Sequence, residues 1–100
     1  MNKIIKIAVD AMGGDGSPKK IIDGICHHYE NNKNSFYKIF GNKDKILPHI
    51  KKNLLNSSFE IIHTTDIVKG TDSPLEGAKR GKNTSMWLAI QSVKEKKSDV

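Results

Sequence analysis

The most constraining feature of this sequence is a short apolar run that ends at an acidic residue and a cluster of glycines. Residues 4–9, IIKIAV, are almost continuously apolar and rich in β-branched side chains, a pattern typical of a parallel strand that is buried on both faces. Asp10 closes the run, and the segment 11–16, AMGGDG, has the composition of a turn. Ser17 suits the N-cap of a helix and Pro18 suits its first position. The sequence therefore predicts a buried strand, a glycine-rich turn and a helix in direct succession.

The rest of the chain continues this alternation of strands and helices. Strands are predicted at residues 36–40 and 59–62, which end at Gly41 and His63. Apolar residues at helical spacing predict one helix before the second strand, one between the second and third, and two after the third. The first helix is indicated by Ile21, Ile22, Ile25, Cys26 and Tyr29. The second has Asn42 as its cap, a break at Pro48, and an apolar face that Leu54 and Leu55 continue. The third begins with the capping box from Ser73 to Glu76 and is loosened by Gly77 and Gly81, and the fourth has the apolar stripe Met86, Ala89, Ile90 and Val93.

This order of elements is typical of a doubly wound α/β fold. We expect a Rossmann-like, mainly parallel sheet with helices on both faces. Asp99 and Val100 resemble the approach to a fourth strand. Residues 1–100 are therefore expected to form the amino-terminal part of a single α/β domain whose remainder lies beyond them.

Composition argues against several classes of protein. Only Arg80 among the 17 basic residues is arginine, whereas nucleic-acid-binding proteins favour arginine for bidentate and stacking contacts, so no nucleic-acid partner is expected. Cys26 is the single cysteine, which excludes an intramolecular disulfide and favours a reducing compartment. No apolar run approaches the roughly 20 residues of a membrane span. The first residues lack the features of a signal peptide, so we expect a cytoplasmic protein.

Candidate binding residues lie in the loops that follow the strands, because ligands of open α/β sheets bind beyond the carboxyl ends of the strands. These loops are residues 10–17, 41–44 and 63–72. Glycines in the first loop would let backbone amides turn toward an anion, and the helix that follows adds a positive partial charge. A tight turn without any ligand would explain the same glycines, so both interpretations stay open.

Other kinds of site fit the sequence less well. Asp10 and Asp15 could position a substrate group or bind a metal ion, but aspartates in loops more often cap backbone amides. Lys19 stands where a dinucleotide-binding fingerprint needs its third glycine, and Glu76 stands where a phosphate-binding loop needs its first. The histidines and the cysteine follow no zinc-binding spacing. We therefore expect neither a metal site nor a nucleotide cofactor.

Three blocks of the sequence resemble the phosphate acyltransferases of fatty-acid and phospholipid synthesis. The first is residues 7–15, IAVDAMGGD, with Pro18 shortly after, and the second is residues 63–65, HTT. The third block consists of Pro74, Ala78, Arg80, Lys82, Ser85, Met86, Ala89, Val93 and Lys94. The blocks cover essentially the whole chain in the family's order. This chain departs from the family pattern at residues 83–85, where Asn-Thr-Ser replaces the usual Asp or Asn, Ser and Ser, and at two glycines that loosen a helix, Gly77 and Gly81.

The resemblance implies an enzyme in which inorganic phosphate attacks the thioester of a long-chain acyl-acyl carrier protein. The products would be free carrier and an acyl phosphate for bacterial phospholipid synthesis, and no cofactor is expected. The resemblance also implies a homodimer that associates peripherally with the membrane. Family members are longer, with a Ser-Ala-Gly-Asn-Thr-Gly segment expected just past Val100, so residues 1–100 alone are expected to be inactive. Two alternatives stay open: a small-acyl phosphate transferase that uses acyl-coenzyme A, and an inactive binding module of the same fold.

The candidate site is centred on the first loop, where Asp15 is the candidate catalytic residue. Arg80 and Lys82 would neutralise phosphate or contact the acidic carrier, although a run of basic residues more often marks a solvated helix face. The residues predicted to bind phosphate or substrate are Asp10, Met12, Gly13, Gly14, Asp15, Gly16, His63, Arg80, Lys82 and Ser85.

Overall fold

The computed structural model describes residues 3–64 and 84–100. The predicted loop that follows Thr64 and the predicted capping box from Ser73 to Glu76 lie outside the described residues, as do Gly77 and Gly81. The described elements are, in chain order, β1 (Ile5–Asp10), α1 (Lys19–Asn31), β2 (Ser35–Gly41), α2 (Lys43–Ile46), two 3₁₀ turns (Leu47–His49 and Asn56–Ser58), β3 (Phe59–His63) and α3 (Ser85–Lys94).

The three strands form a parallel sheet in the order β1-β2-β3, with β2 at its centre. Asp10, the last residue of β1, is opposite Phe40 of β2, and Gly41 is opposite His63 of β3. The carboxyl ends of all three strands therefore meet at one edge of the sheet, which we call the carboxyl edge. The predicted parallel pairing is confirmed.

The end of the chain runs along the outer edge of β1. Ile5 N donates a hydrogen bond to Asn34 O on the β2 side, whereas Ala8 N donates to Val100 O at 2.7 Å. Amides an odd number of residues apart in a strand point to opposite edges, so Val100 lies on the edge of β1 that faces away from β2. Asp99 N also donates to Lys6 O at 2.7 Å. These bonds place Asp99 and Val100 beside β1, whereas the sheet of the described residues has three strands, so the fourth strand stays a prediction.

Helices cover both faces of the sheet. On the α1 face, a buried cluster joins the inner side of α1 to one set of alternating strand residues. The alternate set, Lys38, Phe40 and Ile62, lines a cavity of about 270 Å³ together with Leu88 and Ser92 of α3. The predicted Rossmann-like α/β arrangement is therefore confirmed. The buried residues of the α1-side cluster are Ala11, Ile22, Ile25, Cys26, Tyr29, Tyr37, Ile39, Ile46 and Leu54.

The prediction that the first strand is buried on both faces is wrong for the described residues. Ile5 of β1 is 42% exposed, and the residues after Lys6 are only partly buried. The strand with the strongest burial is β2, in which Ile39 is fully buried. A central strand has neighbours along both of its edges, whereas β1 borders β2 on one side and only the short segment at Val100 on the other.

The predicted apolar stripe of the last helix is also wrong, except at Ala89. Ile90 is 58% exposed, and the other apolar members of the predicted stripe, Met86 and Val93, are exposed as well. The buried positions of α3 are Ser85, Ala89 and Ser92. Small side chains let a helix approach the sheet closely, so α3 packs through them and turns its larger apolar residues away. Hydrophobic spacing alone does not distinguish these two orientations.

The start of α1 differs from the prediction that Ser17 is its N-cap. The helix begins at Lys19 with Pro18 at the N-cap position, and no side chain caps it. The Ser17 hydroxyl instead donates to the carbonyl of Gly13. Since this hydroxyl closes the preceding loop on itself, it is used there rather than on the amides of the helix.

The segment between β2 and β3 follows the prediction more closely. Asn42 caps α2, because its side-chain oxygen accepts hydrogen bonds from Asp44 N and Lys45 N, and a 3₁₀ turn that contains Pro48 follows. Leu54 belongs to the buried cluster, as predicted, but Leu55 is exposed, so the apolar face does not extend to it.

The burial pattern predicts that two isoleucine substitutions have different effects in the 100-residue chain. Ile39→Ala removes apolar groups from the fully buried centre of the sheet and should lower the free energy of unfolding by about 2–5 kcal/mol. Ile90→Ala is the matched control, since the same groups are removed from an exposed helix position, and it should cost less than about 1 kcal/mol. Urea unfolding followed by circular dichroism measures both values. Equal losses would contradict the burial assigned to these two positions.

Candidate functional site

Asp10 connects two distant parts of the chain at the carboxyl edge. Its Oδ1 accepts a hydrogen bond from Met12 N at 3.0 Å and another from the Ser85 hydroxyl at 2.5 Å. Ser85 is the buried first residue of α3, whose N-cap, Thr84, accepts from Trp87 N. A carboxylate beside the first turn of a helix is also stabilised by the positive end of the helix dipole. Asp10 therefore holds the first loop and the start of α3 together.

Glycine is required at several points of the first loop for different reasons. Gly14 and Gly16 have φ angles of +85° and +79°, in the left-handed region that residues with a side chain rarely adopt. A Cβ atom on Gly13 would lie only 3.0 Å from Asp10 Oδ2. The loop then leads into α1, where Lys20 N donates to Gly16 O at 3.0 Å. The sequence signal for this loop was the glycine cluster, and the structure gives Gly14 and Gly16 a conformational reason and Gly13 a steric one.

Asp15, the candidate catalytic residue, lies exposed at the tip of this loop. Within residues 3–64 and 84–100, its carboxylate has neither a hydrogen bond nor an ion pair. It therefore does not cap a described backbone amide, which was the structural alternative for an aspartate at this position.

The first loop also lies across the end of β2. Ala11 N donates to Phe40 O at 3.0 Å, which continues the pairing of β1 with β2 into the loop. A Cβ atom on Gly41 would lie 2.9 Å from both Met12 Cγ and Ile46 Cδ1. Glycine at this position therefore allows the Met12 side chain to pack over the strand end. Met12 acts as a packing residue of the loop, and its amide is already bonded to Asp10.

His63 lies at the end of β3. Its Nδ1 accepts a hydrogen bond from Lys43 N, the first residue of α2, at 3.0 Å. An accepting Nδ1 carries no proton, so the neutral ring has its proton on Nε2. His63 thus supports the start of α2 and retains an N–H donor on the other side of the ring.

Thr64 is a feature of this edge that the site prediction omitted. Its amide donates to Gly41 O at 2.8 Å, and its side chain is buried. Its hydroxyl has no hydrogen-bond partner among the residues that the structure describes. Its place directly after a strand was the available sequence signal, because parallel strands bring their last residues to one edge.

The predicted site residues divide into three groups. Asp10, Met12 and Ser85 are joined by hydrogen bonds, and Gly13, Gly14, Asp15 and Gly16 continue from them along the loop. His63 is at the same edge, but its contact is with α2. Arg80 and Lys82 lie outside the described residues.

The described ranges contain neither a cluster of metal-ligating side chains nor a helix that could span a membrane. No group of three or more histidine, cysteine, aspartate or glutamate side chains in these ranges could hold a metal ion. None of the helices within them is both long enough and apolar enough to cross a membrane.

Comparison with known proteins points to one family. The sequence profile of a family described as "Fatty acid synthesis protein" matches residues 5–100. A phosphate acyltransferase of Pelagibacter ubique is 79% identical to the chain over 100 residues, which are 100% of this chain and 30% of that protein. A phosphate acyltransferase of Bradyrhizobium diazoefficiens is 37% identical over 96% of this chain and 28% of its own length. That of Bacillus subtilis is 35% identical over 95% of this chain and 28% of its own length.

The three relatives have the same name, and each aligns with this chain over only part of its own length. The match extends over nearly all of this chain, while the chain spans less than a third of the length of each of the three relatives. The profile match includes β1, the glycine loop, the three parallel strands and α3. The chain belongs to the fatty acid synthesis protein family.

Proposed function

We propose that the protein to which this chain belongs transfers a long-chain acyl group from acyl-acyl carrier protein to inorganic phosphate. A phosphate oxygen attacks the thioester carbonyl, a C–O bond forms, and the C–S bond breaks. The proton of the phosphate monoanion or dianion ends on the departing thiol, so the products are acyl phosphate and free carrier. The relatives' name, phosphate acyltransferase, supports the general reaction, and the family description supports a fatty acyl donor.

The observation that carries this proposal is the conformation of the first loop. Gly14 and Gly16 adopt left-handed backbone angles directly before α1, at the edge of the sheet where ligands of this fold class bind. Backbone amides in such a loop, together with the start of a helix, favour an anion such as phosphate. Gly14 has no hydrogen bond to another described residue, so its amide is available to a ligand.

The proposed reaction does not require a strong general base. Phosphate is partly dianionic at neutral pH and is already a nucleophile. The protein must hold it, align it with the thioester and stabilise the oxyanion that develops. We assign the binding of phosphate to the backbone amides of the first loop. A homodimer with peripheral membrane association is a further proposal, which rests on the family resemblance alone.

The direct test is an assay of the full-length protein with purified substrates. We expect acyl phosphate to form from long-chain acyl-acyl carrier protein and phosphate, measured as hydroxamate after trapping with hydroxylamine. The same assay with acetyl-coenzyme A and with palmitoyl-coenzyme A distinguishes the alternative donors. Faster turnover of the short acyl-coenzyme A would favour a small-acyl phosphate transferase. Carrier binding without any acyl phosphate would identify a binding module and overturn the proposal.

Asp15→Ala should reduce acyl phosphate formation by about tenfold or more, as loss of a group that positions substrate or transfers a proton does. Its melting temperature should stay close to that of the wild type, because the side chain is exposed and has no partner among the described residues. Glu30→Ala is the control: that exposed carboxylate lies near the end of α1, away from the carboxyl edge, and it accepts a hydrogen bond from Asn53 Nδ2 at 3.3 Å. Full activity of Asp15→Ala would make the loop tip irrelevant to the reaction.

Arg80→Ala tests the proposed contact with the acidic carrier. We expect KM for the acyl carrier to rise more than kcat falls, and the dependence of KM on salt to weaken, because one attractive charge has been removed. Lys33→Ala is the control: Lys33 follows α1 and lies against the Tyr29 ring. The measurement is initial rates at several ionic strengths. Identical salt dependence in Arg80→Ala and wild type would assign Arg80 to a solvated surface.

A further inference from the structure

We propose that Asp10 and Ser85 form a positioning pair that fixes the glycine loop against the first turn of α3. In this role neither side chain contacts phosphate, which is held by the loop. The inference rests on the proposed function, since it concerns how the same site is organised. It changes the roles of two residues that the sequence placed among the phosphate ligands.

The pair is defined by one oxygen atom with two donors. Asp10 Oδ1 accepts from Met12 N at 3.0 Å, which shapes the first turn of the loop, and from Ser85 Oγ at 2.5 Å. The two donors, Met12 and Ser85, are 73 residues apart in the sequence. Ser85 is buried, so its hydroxyl has few other acceptors and its position is set by the packing of α3.

Charge argues against a direct contact between Asp10 and phosphate. A carboxylate repels a phosphate mono- or dianion at contact distance, and the repulsion is strongest where water is excluded. Donors from the loop and from α3 offset the charge of Asp10 at Oδ1. Its Oδ2 lies 3.0 Å from the point that a Cβ atom on Gly13 would occupy, so the loop backbone crosses close beside this second oxygen.

The loop needs an anchor because its own sequence does not fix it. Glycine has the largest conformational freedom of any residue, and three of the four residues from Gly13 to Gly16 are glycine. The described hydrogen bonds within the loop and to its ends are those of Ser17 to Gly13, of Ala11 to Phe40, of Met12 to Asp10 and of Lys20 to Gly16. Preorganised amides bind a developing charge better than mobile ones do. Tying Asp10 to the buried start of α3 supplies this preorganisation.

The experiment compares variants of the full-length enzyme by steady-state kinetics. Asp10→Ala and Ser85→Ala should each raise KM for phosphate by about tenfold, while KM for the acyl carrier changes by less than about twofold. Amide hydrogen exchange of residues 11–16 should become faster in both variants, because the loop is less restrained. Asp10→Asn retains an acceptor oxygen and should recover most of the phosphate affinity that Asp10→Ala loses.

Ser92→Ala is the matched control for Ser85→Ala. Ser92 is also a buried serine on α3, and its hydroxyl lies 2.7 Å from that of Ser98, far along the helix from the loop. Its substitution should lower the melting temperature without a selective rise in KM for phosphate. This control separates the loss of a buried hydrogen bond in α3 from the loss of the contact with Asp10.

Three outcomes would overturn the positioning role. Unchanged KM for phosphate and unchanged exchange in Asp10→Ala would show that the loop does not depend on the pair. Inactive Asp10→Asn in a well-folded enzyme would make Asp10 a catalytic residue, and tighter phosphate binding by Asp10→Asn would place it in contact with phosphate. If the wild type makes no acyl phosphate from any donor, the proposed function fails. Exchange of residues 11–16 then decides separately whether the pair restrains the loop.

Discussion

The parallel pairing of β2 on both of its edges is the constraint on which the other features depend. A buried central strand must satisfy its amides and carbonyls through its neighbours, and β2 does so with β1 and β3. Parallel neighbours cannot be joined by tight turns, so the connections cross the faces of the sheet as helices. The same geometry places Asp10, Gly41 and His63 at one edge. The candidate site is therefore a consequence of strand direction before any side-chain chemistry is considered.

Asp10 is the side chain that connects the carboxyl edge of the sheet to the rest of the candidate site. Its position is set by β1, and its carboxylate joins the glycine loop to the start of α3. Two nearby glycines have separate steric reasons. Gly13 allows the backbone to pass beside the carboxylate, and Gly41 leaves room for Met12. Such close approaches are a reason for glycine that has nothing to do with ligand binding. The left-handed angles of Gly14 and Gly16 are a second, separate reason for glycine, and they are the feature on which the proposed anion site rests.

The side of α3 that faces the sheet consists of small residues, and this allows Ser85 to reach Asp10. Ser85, Ala89 and Ser92 lie against the sheet, while Ile90 on the outer side is exposed. Larger inward side chains would hold the helix farther from the strands, and the Ser85 hydroxyl would then lie too far from Asp10 for the hydrogen bond that the structure contains. The small side chains therefore have two effects: they let α3 pack closely on the sheet, and they let Ser85 bond to Asp10 and so to the glycine loop.

The sequence by itself determined the elements and their direction: the strand that ends at Asp10, the glycine turn and the Asn42 cap all follow from local patterns. These are short-range signals, because hydrogen bonding and steric limits act within a few residues. The tertiary structure decided which strand is most buried, which side of α3 faces the sheet, and that Ser85 donates to Asp10. Those outcomes depend on contacts between residues far apart in the chain, and periodicity, which is a property of one segment, carries no information about the partner that covers it.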